Sequence, residues 1–276
     1  MDFVPDFNVA RQSLKYVDFS TYSRAYVITN EDLRYSMKYV PKYCERALTV
    51  AASGDHPLFA SLYGAKHVDT FDISYNAKCI MDIKVAAINV SNANSYGAYV
   101  SLIYDLWRFG GRKMGYLNSI SYKLPAKEIE YIHALGDCHI FRQGSNPGQY
   151  KEHFPTKQEY KKLRKIVKKP YNFMLTDIDK LSAHLTDKYD FIHLSNILDH
   201  LPMHRHTNII TPLLDYVNVG GRILMLDEFQ LNSKKKDGIP VGPSCEESCK
   251  TIARIYNDWR FVRDEEHFIN VLERFR

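Results

Sequence analysis

Short apolar runs alternate with amphipathic stretches along most of this chain. The run ALTVAA (47–52) precedes HPLFASLYGA (56–65), which has apolar residues at helical spacing and ends at a glycine. The run HVDTFDIS (67–74) then precedes YNAKCIMDIKVAAINV (75–90), which returns to helical spacing. An order of strand, helix, strand and helix indicates a parallel sheet with right-handed crossovers.

The alternation stops between residues 91 and 170. The stretches 96–111 and 124–136 are amphipathic and end in glycine, and a basic helical stretch follows them. We interpret 91–170 as a helical insertion that caps an acceptor site, since it is too long for an ordinary connection and too patterned for disorder. Residues 1–45, which mix aromatic and charged side chains, are predicted to form an N-terminal helical segment.

Alternation then resumes and predicts three further strands, a helix before the last of them, and a terminal hairpin. The segment HTNIITPLLDYVNVGG (206–221) is expected to be a helix interrupted by Pro212 and ended by its two glycines. Residues 260–275 are expected to form the hairpin at the sheet edge. The predicted fold class is α/β, with a doubly wound, mostly parallel sheet of seven strands in a domain covering 46–276. The three strands are expected at 171–179, 189–196 and 222–229.

Composition narrows the class of protein. With 276 residues, 45% of them hydrophobic, the chain can bury a full core. No apolar run reaches the ~20 residues that cross a bilayer, and the first residues do not resemble a signal peptide. Its five cysteines are scattered, which favours a reducing compartment, and we expect a cytoplasmic protein.

The net charge of +5 is mild. Its main basic cluster is KKLRKIVKK (161–169), which we interpret as a solvated helix face in preference to a nucleic-acid patch. We therefore expect a small-molecule partner, and the sequence does not indicate an oligomeric state.

Polar residues follow the predicted strands at the edge where doubly wound sheets bind ligands. Acidic groups are frequent there, which is unfavourable for phosphate but suits a cationic ligand with free ribose hydroxyls. The candidate binding residues are Ser53, Gly54, Asp55, Asp72, Ile73, Asp177, Ile178, Ser195 and Asn196.

These segments together resemble the class I S-adenosylmethionine-dependent methyltransferases. The resemblance lies in VAASGD, VDTFDIS, LTDID, YDFIHLSNILDHL and VGGRILMLDEF, in this order. It implies a Rossmann-like methyltransferase fold with S-adenosylmethionine as cofactor. It also implies that Asp72 binds the ribose, that Asp177 lies on the adenine side and that Gly54 lets the backbone approach the amino-acid tail of the cofactor. Asp55 is either a ligand or a helix cap.

The first half is also similar to the enzymes that make the betaine-lipid headgroup precursor. The similarity covers ASGDHPLFASLYGAKHVDTFDISYNAKCIMDIKVAAI. Those enzymes transfer the 3-amino-3-carboxypropyl group of S-adenosylmethionine instead of its methyl group. This chain has DISYN where that family has Asp-Leu-Asn-Pro, so the acceptor is not carried over.

Asn196 and His200 are the candidate catalytic residues, since one follows the fourth strand and histidine is the usual general base near neutral pH. The histidines of HLPMHRH are interpreted as a helix-end cluster, and no metal site is predicted. The expected function is transfer of a methyl or aminocarboxypropyl group to a small molecule. Two alternatives stay open, an RNA-modifying enzyme and a non-catalytic S-adenosylmethionine-binding protein.

Overall fold

A computed structural model describes residues 26–90, 95–109, 119–134, 146–227 and 244–276. Seven strands form one sheet in the order β3-β2-β1-β4-β5-β7-β6. Helices separate most consecutive strands, so the predicted α/β class with a seven-stranded, mostly parallel sheet is confirmed. The strands are β1 Arg46–Val50, β2 His67–Asp72, β3 Asn172–Leu175, β4 Tyr189–His193, β5 Val217–Leu226, β6 Trp259–Asp264 and β7 Ile269–Arg274.

The predicted helices that fall on described residues are present, with ends shifted by a few residues. Shorter 3₁₀ turns connect several of them, including Ile178–His184 and Ile197–His200. No helix of the described ranges combines the length and apolarity needed to cross a bilayer. The α-helices are α1 Leu33–Met37, α2 Asp55–Leu62, α3 Tyr75–Asn89, α4 Ser95–Phe109, α5 Ala126–Ala134, α6 Lys157–Ile166, α7 Met203–Ile210 and α8 Glu246–Ile255.

The chain divides into two compact units. Of the described residues, those within 26–32, 51–58 and 72–175 form the first unit, and those within 33–50, 59–71 and 176–276 form the second. The domain boundaries expected from the sequence stay a prediction, and residues 1–25 of the expected N-terminal segment lie outside the described residues.

Helix α3 is the centre of the first unit. Twelve of its fifteen residues are buried, and α4 and α6 both pack against it. Its buried residues include the charged Asp82 and Lys84 beside apolar side chains such as Ile80 and Ile83. Because a charge is costly to bury without a partner, these two polar residues need partners within the unit.

The second unit contains most of the sheet. Strand β1 pairs in parallel with β2, with Val50 opposite Phe71, and also with β4, with Thr49 opposite His193. The terminal hairpin, β6 and β7, is confirmed, and β7 pairs antiparallel with β5. Parallel pairing brings the carboxyl ends of neighbouring strands to one edge of the sheet.

One predicted helix end was wrong. Helix α7 stops at Ile210, a 3₁₀ turn follows with Pro212 in its first turn, and VNVGG begins β5 instead of ending a helix. The pairing of β4 with β5 shifts register between Tyr189 and Phe191, and Gly220 has a φ of +82° in this irregular part. The glycine pair thus permits a bulge, which period-based reasoning takes for a helix stop.

Candidate functional site

The turn after β1 has an unusual backbone conformation. Ala52 has a φ of +44° and Gly54 a φ of +79°, both in the left-handed region. The N–H of Gly54 donates to the carbonyl of Ala51 at 2.6 Å, which closes the turn. A left-handed conformation at a residue with a Cβ costs free energy and needs support from its surroundings.

Asp72 supplies part of that support. Its Oδ2 accepts the backbone N–H of Ala52 at 2.9 Å, and its Oδ1 accepts the N–H of Ser74 at 2.9 Å. The side chain is only partly buried. Since each carboxylate oxygen carries a second lone pair, Asp72 can accept further hydrogen bonds from a ligand.

Burial raises the pKa of the Asp72 carboxyl to about 6, from an ordinary value of 3.8. The backbone N–H groups of Ser74, Ala52 and Ile73, and then the nearby charge of His56, act in the opposite direction. Asp72 is therefore ionised at neutral pH but loses its charge in mildly acidic solution.

The carboxylate of Asp55 is buried and forms an ion pair and two hydrogen bonds within the protein. Its Oδ1 lies 2.6 Å from the Nζ of Lys84, and its Oδ2 accepts the N–H of Thr29 at 2.9 Å and the hydroxyl of Ser53 at 2.7 Å. Asp55, Ser53 and Lys84 are each at most 2% exposed. Asp55 thus lies at the first turn of α2 in a buried ion pair that the sequence did not predict, and its contact with a ligand stays a prediction.

Packing explains Gly54. A Cβ at this position would lie 2.7 Å from the Cα of Met81 in α3, closer than Cβ atoms approach other atoms in proteins. The methyltransferase resemblance implies that this glycine lets the backbone approach the amino-acid tail of a cofactor. The close approach of the turn to α3 is a sufficient reason for glycine, whatever the turn binds.

The first unit thus brings together the five candidates that precede α3. Ser53, Gly54 and Asp55 form the turn, and Asp72 holds the turn through Ala52, as described above. Ile73, next to Asp72, is partly buried. The lone lysine within CIMDIKVAAI was the sequence signal for the buried partner of Asp55, because a cation in an otherwise apolar helix face must be paired.

In the second unit, Asp177 caps a 3₁₀ turn. Its Oδ1 accepts the N–H of Asp179 at 3.2 Å, and the neighbouring Ile178 is buried. Asp179 forms an ion pair with Arg205. Of the two acids, Asp179 is paired with a cation, whereas Asp177 forms no ion pair with any described residue.

Ser195 and Asn196 lie directly after β4. Ser195 has a φ of +57°, and its hydroxyl donates to Oδ1 of Asn196 at 3.3 Å. His200 is exposed, whereas His206 is completely buried with its Nε2 2.9 Å from the carbonyl of Leu198. Within the described ranges, no group of three or more histidine, cysteine or carboxylate side chains is placed to hold a metal ion.

A groove in the first unit was not predicted. We call it the α4–α6 groove, because residues of α4, α6 and the turn at 151–154 line it, and its volume is about 1060 Å³. Lys157, Lys161 and Arg164 contribute to its lining, whereas the sequence predicts a solvated helix face for 161–169, which contains two of them. Tyr96 and Tyr104, two tyrosines of the predicted insertion 91–170, also line it.

Comparisons with known proteins complete the description. No family model matches the chain, and no curated protein matches it. TehB from Haemophilus influenzae is 16% identical, with a TM-score of 0.38 over 89% of this chain and 62% of TehB, so the chain spans less than two thirds of that protein.

Two further solved structures show a similar arrangement. The ribosomal protein L11 methylase from Lactobacillus delbrueckii subsp. bulgaricus is 13% identical, with a TM-score of 0.42 over 90% of this chain and 80% of that one. The N-methyltransferase NodS from Bradyrhizobium japonicum WM9 is 8% identical, with a TM-score of 0.38 over 98% and 97%. Similarities this low transfer neither a substrate nor a reaction to the present chain.

Proposed function

We propose that this chain is a transferase that uses S-adenosylmethionine to alkylate a small-molecule nucleophile. The observation that carries the proposal is the partly exposed carboxylate of Asp72 at the end of β2, which also holds the left-handed turn at Ala52 and Gly54. A carboxylate in this position suits the two hydroxyls of a ribose. The same turn lacks the G-x-G-x-x-G pattern that binds a pyrophosphate, which favours a nucleoside ligand that has no pyrophosphate.

The residues of the first unit would have separate roles toward such a ligand. Asp72 is the group that would accept the ribose hydroxyls, and its charge at neutral pH strengthens those hydrogen bonds. Asp55, Ser53 and Lys84 would act behind it, because their buried contacts hold the turn in place. Gly54 keeps the turn close to α3 and so keeps Ala52 within reach of Asp72.

S-adenosylmethionine supplies an electrophilic carbon attached to a sulfonium. The protein then has to position the nucleophile in line with that carbon, exclude water and accept the proton that an amine or hydroxyl nucleophile loses. We assign the positioning to Asn196 and the proton acceptance to His200, with Asp177, Ile178 and Ser195 as further contacts to the cofactor. Asn196 is assigned from its position after β4 and His200 from the acid–base chemistry of histidine, and each assignment has its own test.

Binding is the first test. Isothermal titration with S-adenosylhomocysteine should give a Kd that Asp72→Ala weakens by about 10- to 100-fold, as expected for loss of hydrogen bonds to a charged group. Asp215→Ala, at an exposed position of the second unit, should bind like the parent. An analogue without ribose hydroxyls should bind the parent weakly and should not distinguish the parent from Asp72→Ala. Equal binding by all the proteins would contradict the ribose role.

The product identifies the reaction. The protein is incubated with S-adenosylmethionine and the small-molecule fraction of a cell extract. Transfer of the methyl group should release S-adenosylhomocysteine, and transfer of the aminocarboxypropyl group should release 5′-methylthioadenosine. His200→Ala should lower kcat while leaving the Kd for S-adenosylhomocysteine near that of the parent. Asn196→Ala should lower kcat and also weaken that binding, since Asn196 is a candidate contact to the cofactor as well. Tight binding with neither product from any extract would favour the non-catalytic alternative.

A further inference from the structure

The charged side chains that line the α4–α6 groove are all basic. Lys151, Lys157, Lys161 and Arg164 line it, and among the described residues no aspartate or glutamate does. The three lysines are exposed, and no carboxylate of the described residues forms an ion pair with them. Four cations without a lining anion make a field that attracts a polyanion.

The geometry of α6 arranges three of these cations in a row. Lys157, Lys161 and Arg164 are spaced by four and three residues, which puts them on one helix face over about 10 Å. The carboxylate that is closest in sequence, Glu159, is occupied by the capping box at the helix start, where it accepts the N–H of Thr156 at 2.7 Å. The two lysines of this row, Lys157 and Lys161, therefore present exposed positive charges along the groove.

Four aromatic side chains also line the groove, beside the small residues of α4. The rings of Tyr104 and Phe154 are stacked with centroids 6.1 Å apart and an interplanar angle of 13°, and the rings of Tyr96 and Tyr160 meet edge to face at 5.5 Å. Tyr96 and Tyr104 are partly exposed, whereas Phe154 and Tyr160 are buried beneath them. Packing against buried rings holds the two accessible rings in place, so little side-chain entropy is lost when a planar group stacks on them.

We propose that the α4–α6 groove binds single-stranded nucleic acid. A row of cations that follows a phosphate backbone beside aromatic rings that stack with bases is the arrangement by which proteins hold single strands. The volume of about 1060 Å³ reaches the upper end of what small-molecule pockets provide, which suits a segment of a longer ligand. The inference does not depend on the proposed transferase activity, because binding is measured without cofactor.

The test measures fluorescence anisotropy of the full chain with labelled 12-nucleotide RNA and DNA. If all four cations contact phosphates, the slope of log affinity against log salt is about −2.8, so affinity falls about 50-fold between 50 and 200 mM NaCl. Lys157→Gln/Lys161→Gln should reduce that fall to about sevenfold. Lys162→Gln/Lys165→Gln removes the same charge from the same helix at positions that do not line the groove, and should keep the slope of the parent.

The aromatic contribution has its own control. Tyr104→Ala should weaken binding about tenfold at constant salt, within the range for stacking of one base, whereas Tyr122→Ala, at an exposed tyrosine outside the groove, should not. Similar binding of RNA and DNA supports the proposal, and a preference for RNA supports it while identifying RNA as the ligand. Equal loss in the two lysine double variants, no loss with Tyr104→Ala, or displacement of the oligonucleotide by vesicles containing 30% phosphatidylserine would each overturn it.

Discussion

The Nζ of Lys84 lies 2.6 Å from Oδ1 of Asp55, and both side chains are almost completely buried. Lys84 belongs to the middle of α3 and Asp55 to the start of α2, so the pair joins the turn after β1 to the centre of the first unit. Burial lowers the pKa of Lys84 from its ordinary value, although the charge and hydrogen bond of Asp55 act in the opposite direction. A buried pair of this kind is costly to break from one side.

Lys84→Met should therefore lower the free energy of unfolding by about 3–5 kcal/mol, because Asp55 is left charged and buried. Urea denaturation followed by circular dichroism measures the change. Lys66→Met is the matched control, since Lys66 pairs with Glu45 while both are more than half exposed, and it should cost less than about 1 kcal/mol. The double variant Asp55→Asn/Lys84→Met should be less destabilised than the sum of its single variants. Strict additivity would show that the pair is not coupled.

Asp72 should make stability depend on pH in a direction opposite to that of a salt-bridged carboxylate. In the folded state the Asp72 carboxyl keeps its proton up to about pH 6, whereas in the unfolded chain it loses the proton near pH 4. Between these values the folded state binds more protons, so the free energy of unfolding falls as pH rises through the window. Asp72→Asn should lack this pH dependence. Urea denaturation of the parent and of the variant from pH 4 to 7 measures the difference between their free energies of unfolding. A constant difference would contradict the raised pKa.

Cofactor binding should follow the same ionisation with the opposite sign. Ribose hydroxyls bind better to a carboxylate than to a carboxylic acid, so affinity for S-adenosylhomocysteine should rise as pH increases from 5 to 7 and level off above the pKa of about 6. Calorimetric titrations across this range measure it. In Asp72→Asn the remaining affinity should be nearly independent of pH, and an unchanged pH profile in that variant would assign the titration to another group.

Gly54 and Gly220 allow backbone strain to be separated from steric overlap. Their φ angles, +79° and +82°, are nearly equal. A Cβ at Gly220 meets no atom of the described residues within 4 Å, whereas one at Gly54 lies 2.7 Å from the Cα of Met81. Gly220→Ala should cost about 1–2 kcal/mol for the left-handed conformation. Gly54→Ala should cost at least about 1 kcal/mol more, because the overlap is with backbone in α3 and the tightly packed unit cannot relax fully. Equal losses in thermal and urea unfolding would remove the packing argument.

Arg263 and Asp227 provide a test in the second unit. Nη1 of Arg263 lies 2.9 Å from Oδ2 of Asp227, and their side chains are 7% and 0% exposed. Burial alone raises the pKa of Asp227, but hydrogen bonds from Cys245, Arg263, Asn270 and Ser244 outweigh it and hold the pKa below the ordinary value. This depressed pKa contributes stability above about pH 4 that is lost as pH falls.

Arg263→Met should lower the free energy of unfolding by about 3 kcal/mol at pH 7, since Asp227 stays buried without its cation. The loss should shrink toward acidic pH, where Asp227 becomes protonated in both proteins. Arg260→Met, which removes an exposed arginine from the same strand, serves as the control. A loss that is the same at pH 3 and pH 7 would show that the ion pair contributes only packing.

The hairpin β6–β7 and the pairs β1–α2 and β2–α3 were predictable from the chain because their signals are local. Alternating or continuous apolar runs of strand length, followed by apolar residues at helical spacing, depend only on neighbours in the sequence. The bulged start of β5 was not predictable in this way. Gly220 and Gly221 follow an apolar run and look like a helix stop, and only pairing with β4, which is distant in the sequence, makes them part of a strand.

The candidate site divides along the same line. The sequence by itself determined that Ser53, Gly54, Asp55 and Asp72 follow the first two strands, because strand ends can be located from hydrophobic pattern. Only the tertiary structure decided that Asp55 pairs with Lys84, and that a side chain at position 54 would overlap Met81. It also decided that lysines of α6 share a groove with tyrosines of α4. The physical reason is that the partner of a buried polar group or of a close backbone contact lies far away in the chain, where no local pattern of residues can indicate it.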